Sequence, residues 1–177
     1  MKNKTIKIYD STLRDGAQTK GVSFSIDDKL RILDILMDIG VDYIEAGWPG
    51  ANPIDDELFK NLPAKFKSKV VAFGMMRKKN KSASNDPGLN AVLNSGVSTT
   101  CLVGKSWDFH VKSALRISNS ENLEMINDSI DYASTKLDKV MFDAEHFFDG
   151  YKSNPKYSLD VIKTAWNAGA KWIVLCD

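Results

Sequence analysis

The chain has 177 residues, 43% of them hydrophobic and 27% charged, which is enough to bury one sizeable core, and we expect a single domain over 1–177. A net charge of +1 gives the chain no electrostatic reason to bind nucleic acid or a membrane surface. The N-terminus lacks the apolar core of a signal peptide, and no apolar run approaches the roughly 20 residues of a membrane helix. We therefore expect a cytoplasmic protein that spans no membrane.

The chain opens with a short alternating run over 6–9 that predicts a strand. Charged and polar residues follow it at once, namely Asp10, Arg14, Asp15 and Gln18. An aspartate can supply a hard oxygen ligand to a divalent metal, and an arginine can stabilise an oxyanion with its planar charged fork. On composition alone, the two aspartates could equally cap a turn or the following helix, since Asp is an ordinary turn residue.

Helices and strands then alternate along the chain. Further strands are predicted at 41–47, 69–74, 97–103, 139–144 and 171–176. Helices are predicted at 25–40, 55–62, 87–96 and 157–168, and 107–136 is long enough for one broken helix or two. The stretch with Phe147, Phe148 and Gly150 predicts a loop. The strands are continuous apolar runs, as is typical of parallel strands buried on both faces.

Six strands alternating with five helical segments predict a parallel α/β fold, either a doubly wound sheet or a (β/α)8 TIM barrel. No Gly-x-Gly-x-x-Gly follows the first strand, which disfavours a dinucleotide-binding sheet. A complete barrel needs about 250 residues, so the pattern predicts a barrel that is truncated after about strand six. An open strand edge seeks a partner, and we therefore expect a homo-oligomer.

Polar side chains gather at or just after the carboxyl ends of the predicted strands. They are Arg14, Asp15, Glu45, Arg77, Lys105, His110, Glu145 and Asp177. In barrel enzymes this face carries the active site. Simpler alternatives stay open for three of them: Glu145 could form a salt bridge across the barrel mouth, Glu45 could be purely structural, and His110 could lie on a helix face.

Two further groups of residues have simple interpretations. The basic run over 77–81 is interpreted as a solvated loop, with a site for an acidic ligand or a CoA phosphate as the alternative. Cys101 and Cys176 fall within apolar strands, so we expect buried thiols rather than a disulfide or a metal pair.

The string DSTLRDGAQ, from Asp10 to Gln18, resembles the DTTLRDGxQ signature of the metal-dependent TIM-barrel acyltransferases and lyases, which include isopropylmalate, homocitrate and citramalate synthases. The likeness continues through YIEAGWPGANP, GKSWDFHV, FDAEHFFDGYKSNP and the closing LCD. The GWPG and AEHFFDGY segments look most like the citramalate synthase branch. The resemblance implies a Claisen-type condensation of acetyl-CoA with a 2-keto acid, pyruvate being the favoured keto acid.

The resemblance also implies roles for individual residues. Asp15 resembles the ligand of a divalent metal, which would be Mg, Mn or Zn. Arg14 resembles the residue that polarises the keto oxygen, and Glu145 resembles a carboxylate of the substrate pocket with a catalytic role. The candidates for binding substrate or CoA are Gln18, near the acetyl-CoA end in the family, Glu45 and His110.

The sequence departs from the family in its histidines. In the family, a His-x-His motif after strand seven supplies two more metal ligands, but this sequence has only His110 and His146. His146 follows Glu145 in an extended segment, so the two side chains are expected to point to opposite faces. We expect the chain to correspond to the N-terminal part of the enzyme and to be inactive alone. A related metal-dependent lyase or aldolase, and a non-catalytic truncated barrel with a structural or interaction role, stay open as alternatives.

Overall fold

The computed structural model describes residues 6–177, which form one six-stranded parallel sheet with helices between the strands. The strands are β1 (Tyr9–Asp10), β2 (Tyr43–Gly47), β3 (Val70–Met75), β4 (Thr99–Lys105), β5 (Lys139–Glu145) and β6 (Trp172–Leu175). The helices are α1 (Ile26–Ile39), α2 (Pro53–Lys60), α3 (Pro87–Leu93), α4 (Asp108–His110), α5 (Asn119–Ser134), α6 (Phe147–Ser153) and α7 (Pro155–Asn167). None of these described helices is both long enough and apolar enough to cross a membrane.

The order of the strands identifies the barrel type. Each strand pairs in parallel with its neighbours in the chain, so the sheet runs β1-β2-β3-β4-β5-β6. A doubly wound sheet reverses its strand order at a switch point, whereas a TIM barrel adds strands in chain order. The predicted α/β fold of TIM-barrel type with six strands is therefore confirmed.

The sheet curls strongly, as contacts between residues of distant strands across its concave face show. The ring of Tyr43 on β2 lies 6.3 Å from the ring of Trp172 on β6. The Lys139 ammonium on β5 donates a 2.5 Å hydrogen bond to the Tyr43 hydroxyl. An inner apolar core occupies the concave side, formed by Val71, Phe73, Cys101, Val103 and Met141.

Strand β3 shows why the strands read as continuous apolar runs. Val70 and Ala72 pack into the larger core shared with the helices, whereas Val71 and Phe73 pack into the inner core. Side chains alternate across a strand, so a strand buried on both faces needs apolar residues at every position. Each fully buried side chain of this size contributes about 1.5–3 kcal/mol to folding.

The first strand is shorter than the sequence predicts. Only Tyr9 and Asp10 pair with β2, while Ile6 and Ile8 are 88% and 57% exposed. The Ile8 amide donates to the Asp42 carboxylate, and the Ile8 carbonyl accepts from the backbone of Asp42 and Tyr43. The prediction of a strand from residue 6 is therefore wrong, since a side chain takes the place of the ladder partner there.

The segment after β5 is a helix, so the prediction of a loop there is wrong. His146 adopts a left-handed conformation with φ 53°, which turns the chain directly from β5 into α6. Gly150 permits close packing of α6, because a Cβ atom there would lie 2.7 Å from the Ser106 carbonyl oxygen. Phe147 and Tyr151, one turn apart on this helix, stack with ring centroids 5.8 Å apart.

The long segment between β4 and β5 divides into two helices, which was one of the two predicted possibilities. Helix α4 continues into a π-helical turn, Val111–Leu115, and stops at Arg116, whose backbone is left-handed with φ 56°. The Ser118 hydroxyl then caps α5 by accepting from the Glu121 amide at 3.1 Å. Such an N-cap typically stabilises a helix by about 1 kcal/mol.

A buried ion pair fixes the loop between β2 and α2. The Lys29 ammonium on α1 donates to the Asp55 carboxylate at 2.5 Å and to the Ala46 carbonyl at 2.9 Å. The other oxygen of Asp55 accepts from the Trp48 amide at 2.8 Å. A Cβ atom at Gly47 would lie 2.5 Å from the Asp55 carboxyl carbon, so only glycine fits there. The pair thereby holds Trp48 in place.

Candidate active site

A cavity of about 450 Å³ opens at the carboxyl ends of the strands. The residues that line it come from all six strands and from the segments that follow β1, β2, β5 and β6. Its polar lining includes Arg14, Asp15, Gln18, Glu45, Lys105, Asp143, Glu145 and Asp177. Its walls include Trp48 and Phe73, whose rings meet edge to face at 5.3 Å. The predicted location of the site, at the carboxyl ends of the strands, agrees with this cavity.

Arg14 is the most firmly held of the predicted site residues. Its Nε donates to the Glu45 carboxylate at 2.5 Å, and its Nη1 donates to the Asp15 carboxylate at 3.1 Å. Its guanidinium carbon lies 3.8 Å from the centre of the Phe73 ring, a cation-π contact. These contacts come from three elements, so the guanidinium is fixed before any ligand arrives.

Glu45 supports Arg14 from below the cavity surface. It is 1% exposed, and both its carboxylate oxygens are occupied, one by Arg14 and the other by the Tyr9 hydroxyl, which donates to it. Burial raises the pKa of Glu45, and Arg14 and the Tyr9 hydroxyl oppose that rise. Burial also raises the pKa of Tyr9, which keeps its hydroxyl protonated as a donor. Glu45 is thus arranged to orient Arg14, and its role in binding substrate or CoA stays a prediction.

Glu145 forms an ion pair with Lys105, which lies on the neighbouring strand β4. Both residues line the cavity, and their side chains are 30% and 18% exposed. The sequence left open a salt bridge across the barrel mouth as the alternative for Glu145, whereas the observed salt bridge joins two neighbouring strands. Glu145 also lies in the cavity wall, and its catalytic role stays a prediction.

Asp143 lies deepest among the aspartates of the cavity and was not singled out by the sequence. It is 8% exposed, and within residues 6–177 its Oδ1 atom has no hydrogen-bond partner. Burial, and then the charge of Glu45, raise the pKa of Asp143 to about 6. One signal could have revealed it: a carboxylate inside an apolar strand is rarely buried unless it is paired or functional.

Asp15 and Gln18 both line the cavity as predicted candidates. The Asp15 side chain is 64% exposed and accepts only from Arg14 among the contacts of the described chain. Gln18 also borders a second, smaller cavity of about 280 Å³ that includes Trp48 and Asn52. The sequence therefore placed both residues at the site, and their individual roles stay predictions.

The sequence predicted that His110 binds substrate or CoA and that His146 points away from Glu145, but the structure places His146 at the cavity instead of His110. His146 lines the cavity, whereas His110 is not among the described residues that line it. The two rings lie 4.7 Å apart, edge to face, and both pack near Trp107. Burial and the neighbouring His146 lower the pKa of His110. The left-handed backbone of His146 breaks the alternation of an extended segment, which is why the expectation that it points away from Glu145 was wrong.

The two cysteines are free thiols and both line the cavity. Cys101 is buried as expected, but Cys176 is partly exposed, so that half of the expectation was wrong. Burial raises the pKa of Cys101 well above its usual range and that of Cys176 to about 11. Neither thiol is therefore a ready nucleophile at neutral pH.

The described residues do not by themselves form a metal site. Between residues 6 and 177, no group of three or more His, Cys, Asp and Glu side chains is placed to hold an ion. Asp15 offers one carboxylate, but Mg²⁺ and Mn²⁺ need several fixed oxygen or nitrogen ligands to replace lost water.

A third pocket, of about 440 Å³, adjoins the first cavity and shares Trp48, Met75, Val103 and the Lys105–Glu145 pair with it. Its rim includes Arg77, Lys78 and Lys79 from the basic run. Arg77 forms an ion pair with Asp128, so this arginine is not simply solvated as the sequence suggested. The alternative, that this basic rim binds an acidic ligand or a CoA phosphate, stays a prediction.

The sequence is similar to one family profile and to several named synthases. The family profile described as HMGL-like matches residues 5–177. The chain is 50% identical over 174 residues to (R)-citramalate synthase of Aquifex aeolicus, covering 97% of this chain and 33% of that protein. It is 48% identical to (R)-citramalate synthase of Sulfolobus acidocaldarius over 100% of this chain and 34% of that protein. It is 31% identical to 2-isopropylmalate synthase of the same organism, over 99% and 43% of the two chains.

Solved structures show the same fold at low sequence identity. HMG-CoA lyase of Bacillus subtilis matches with a TM-score of 0.69 and 17% identity, over 95% of this chain and 56% of that one. Hydroxymethylglutaryl-CoA lyase of Pseudomonas aeruginosa matches with the same TM-score and 19% identity, over 95% and 56%. At such low sequence identity, these matches show only that the fold is shared. The chain spans about a third of the length of the two citramalate synthases that it matches.

Proposed function

Because this chain belongs to the HMGL-like family, we propose that it forms part of the active site of an acyltransferase that condenses acetyl-CoA with a 2-keto acid. The single observation that carries the proposal is the Arg14 guanidinium fixed by Glu45 and Phe73 at the cavity. Pyruvate is the favoured keto acid, with citramalate as the product, since relatives at 45–50% identity are named (R)-citramalate synthase.

Arg14 stabilises the negative charge that develops on the keto oxygen during the condensation. In the condensation, the methyl carbon of the thioester loses a proton, and the resulting enolate carbon attacks the keto carbon. The keto oxygen gains a negative charge as the carbon–carbon bond forms, and water later cleaves the thioester to release CoA. Arg14 stabilises the charged oxygen from a position that it already occupies, so little reorganisation is needed in the transition state. Glu45 and Tyr9 keep the guanidinium in that position.

A second candidate is the closely related reaction with a larger keto acid. Relatives named 2-isopropylmalate synthase are 31–33% identical to this chain. A pocket that accepts one methylene more or less changes discrimination by only about 1–3 kcal/mol, so the choice between these substrates must be measured.

The experiment joins this chain to the remainder of a relative. In the chimera, residues 1–177 replace the matching third of the Aquifex aeolicus (R)-citramalate synthase. Thiol release from acetyl-CoA is then compared for pyruvate and 2-ketoisovalerate, and for no keto acid. We expect pyruvate to be the better substrate. Equal thiol release with and without a keto acid would contradict the condensation, and preference for 2-ketoisovalerate would favour the second candidate.

We propose that a divalent metal, Mg, Mn or Zn, binds at Asp15 in the complete enzyme. For the 177-residue chain alone, we expect Mn²⁺ to bind with millimolar or weaker affinity, because one carboxylate cannot hold a hydrated ion firmly. This affinity corresponds to a binding free energy of at most about 4 kcal/mol. Titration calorimetry checks this. Micromolar binding that is lost in Asp15→Ala would show that further ligands exist in the chain.

We propose that the 177-residue chain, when it is isolated, forms a homo-oligomer through β6. Two of its four residues, Trp172 and Leu175, are 42% and 44% exposed, and among the described strands β6 pairs only with β5. An exposed apolar strand edge tends to pair with another chain. Sedimentation velocity should therefore show a dimer or larger species at micromolar concentration, and Trp172→Lys should shift it toward monomer. A monomeric wild-type chain at that concentration would contradict the proposal.

A further inference from the structure

Asp143 lines the cavity, and none of the roles of Arg14, Glu45 and Tyr9 in the condensation involves it. It lies in the middle of β5, with Val103 of β4 on one side in register and Val174 of β6 on the other. Its side chain lines the cavity between these two apolar neighbours, and its buried Oδ1 has no hydrogen-bond partner in the described chain. A buried polar atom without a partner costs about 1–3 kcal/mol, so a site that keeps one needs a reason.

The other acidic groups around the cavity are either paired or, like Asp177, exposed. Both oxygens of Glu45 are held by Arg14 and Tyr9, and Glu145 is paired with Lys105. Asp15 is bound to Arg14 and largely exposed. Asp143 is therefore the carboxylate of the described cavity lining that is both buried and unpaired.

Burial and several charges act on Asp143. The titratable and charged groups that influence it or are influenced by it are Arg14, Asp15, Glu45, Cys101, Glu145 and Cys176. Burial and the three nearby carboxylates raise its pKa, only Arg14 opposes them, and the result is a pKa of about 6. A carboxylate with a pKa near the working pH is a better proton acceptor than an ordinary one and is still largely ionised at neutral pH.

From this geometry we infer that Asp143 is the general base that takes a proton from the methyl carbon of the acyl thioester. The inference rests on the proposed function. The carbon–hydrogen bond breaks, its electron pair forms the enolate, and Asp143 becomes a neutral carboxylic acid. The enolate carbon then forms the new bond to the keto carbon, and the proton on Asp143 can neutralise the alkoxide that results beside Arg14.

The test uses the chimera with the Aquifex aeolicus relative, in which Asp143→Asn keeps the shape of the side chain but cannot accept a proton. We expect kcat/KM for pyruvate condensation to fall by about 10²- to 10⁴-fold, the range for loss of a general base. In the unsubstituted chimera, kcat/KM should decrease as the pH falls through the pKa of Asp143, because the base is then protonated. That acidic limb should be absent in Asp143→Asn.

Asp138→Asn is the matched control, since Asp138 is an exposed aspartate just before the same strand. We expect it to leave the rate and the acidic limb unchanged. A retained acidic limb and a rate within a few-fold of the unsubstituted chimera in Asp143→Asn would overturn the inference. If the unsubstituted chimera made no condensation product from any keto acid, the proposed function would be contradicted instead.

A second measurement needs no turnover. The Asp143 carboxyl is followed by carbon-13 NMR in the 177-residue chain, its signal being identified by its absence in Asp143→Asn. We expect a titration midpoint near 6. A midpoint at about 4 or below, the value of an ordinary exposed aspartate, would show that Asp143 is not set up to accept a proton and would overturn the inference.

Discussion

Replacing Arg14 with alanine should lower the condensation rate of the chimera by about 10²- to 10³-fold, the usual cost of losing one donor to a developing oxyanion. The guanidinium is fixed by Glu45 at 2.5 Å and by the Phe73 ring at 3.8 Å, so it needs no rearrangement to meet the charge. The loss should appear mainly in kcat, because the negative oxygen forms only in the transition state. Steady-state kinetics with acetyl-CoA and pyruvate measure it.

Two controls show whether the effect is chemical. The Arg14→Ala chain should keep its fold, because burial favours protonation of Glu45 once its cationic partner is gone, and the Tyr9 hydroxyl still contacts it. Circular dichroism should therefore show a normal spectrum. Arg31→Ala removes an exposed arginine on α1 and should leave the kinetics unchanged. A rate near the unsubstituted value in Arg14→Ala would remove Arg14 from the mechanism.

Replacing Lys29 with methionine should lower the free energy of unfolding by about 3–5 kcal/mol, which is the cost of leaving a buried charge without its partner. The Lys29 and Asp55 side chains are only 5% and 8% exposed, so water cannot solvate the abandoned carboxylate. The methionine keeps the apolar stem of the side chain, so the effect measures the lost charge rather than a cavity. Urea unfolding of the 177-residue chain, followed by tryptophan fluorescence, gives the value.

An exposed ion pair with the same 2.5 Å separation provides the control. Lys65 and Asp34 are 59% and 53% exposed, and Lys65→Met should cost less than about 1 kcal/mol, since surface pairs gain little. Similar losses in Lys29→Met and Lys65→Met would mean that the burial of the Lys29–Asp55 pair does not matter to stability.

The alternation of apolar runs with helical patterns was enough to predict the barrel-type order of strands. In β3, for example, both faces are buried, so an unbroken run of apolar residues was the correct signal. The beginning of β1 was less predictable, because Ile6 and Ile8 have strand-forming side chains but the Asp42 side chain takes a backbone donor there. The helix α6 was missed because its first residue follows the left-handed His146, which no periodicity reveals.

The candidate site was predictable where its residues lie close together in the chain. Arg14, Asp15 and Gln18 stand in one loop, and all three line the cavity. Asp143 was missed because its neighbours in the sequence are apolar and read as an ordinary buried strand. The pairings of Glu45 with Arg14 and of Glu145 with Lys105 join residues 31 and 40 positions apart, so only the folded chain brings them together.

If the cavity around Arg14 joins acetyl-CoA to a keto acid, a new carbon–carbon bond must form, and NMR can follow that bond. The chimera is incubated with acetyl-CoA and pyruvate that is carbon-13 labelled at its keto carbon, and the label is followed by NMR. We predict that the ketone signal is replaced by that of the tertiary alcohol carbon of citramalate, and that Arg14→Ala forms this product at least about 10²-fold more slowly. Thiol release with the label left in pyruvate would contradict the condensation, and citramalate formed equally fast by Arg14→Ala would contradict the role of Arg14.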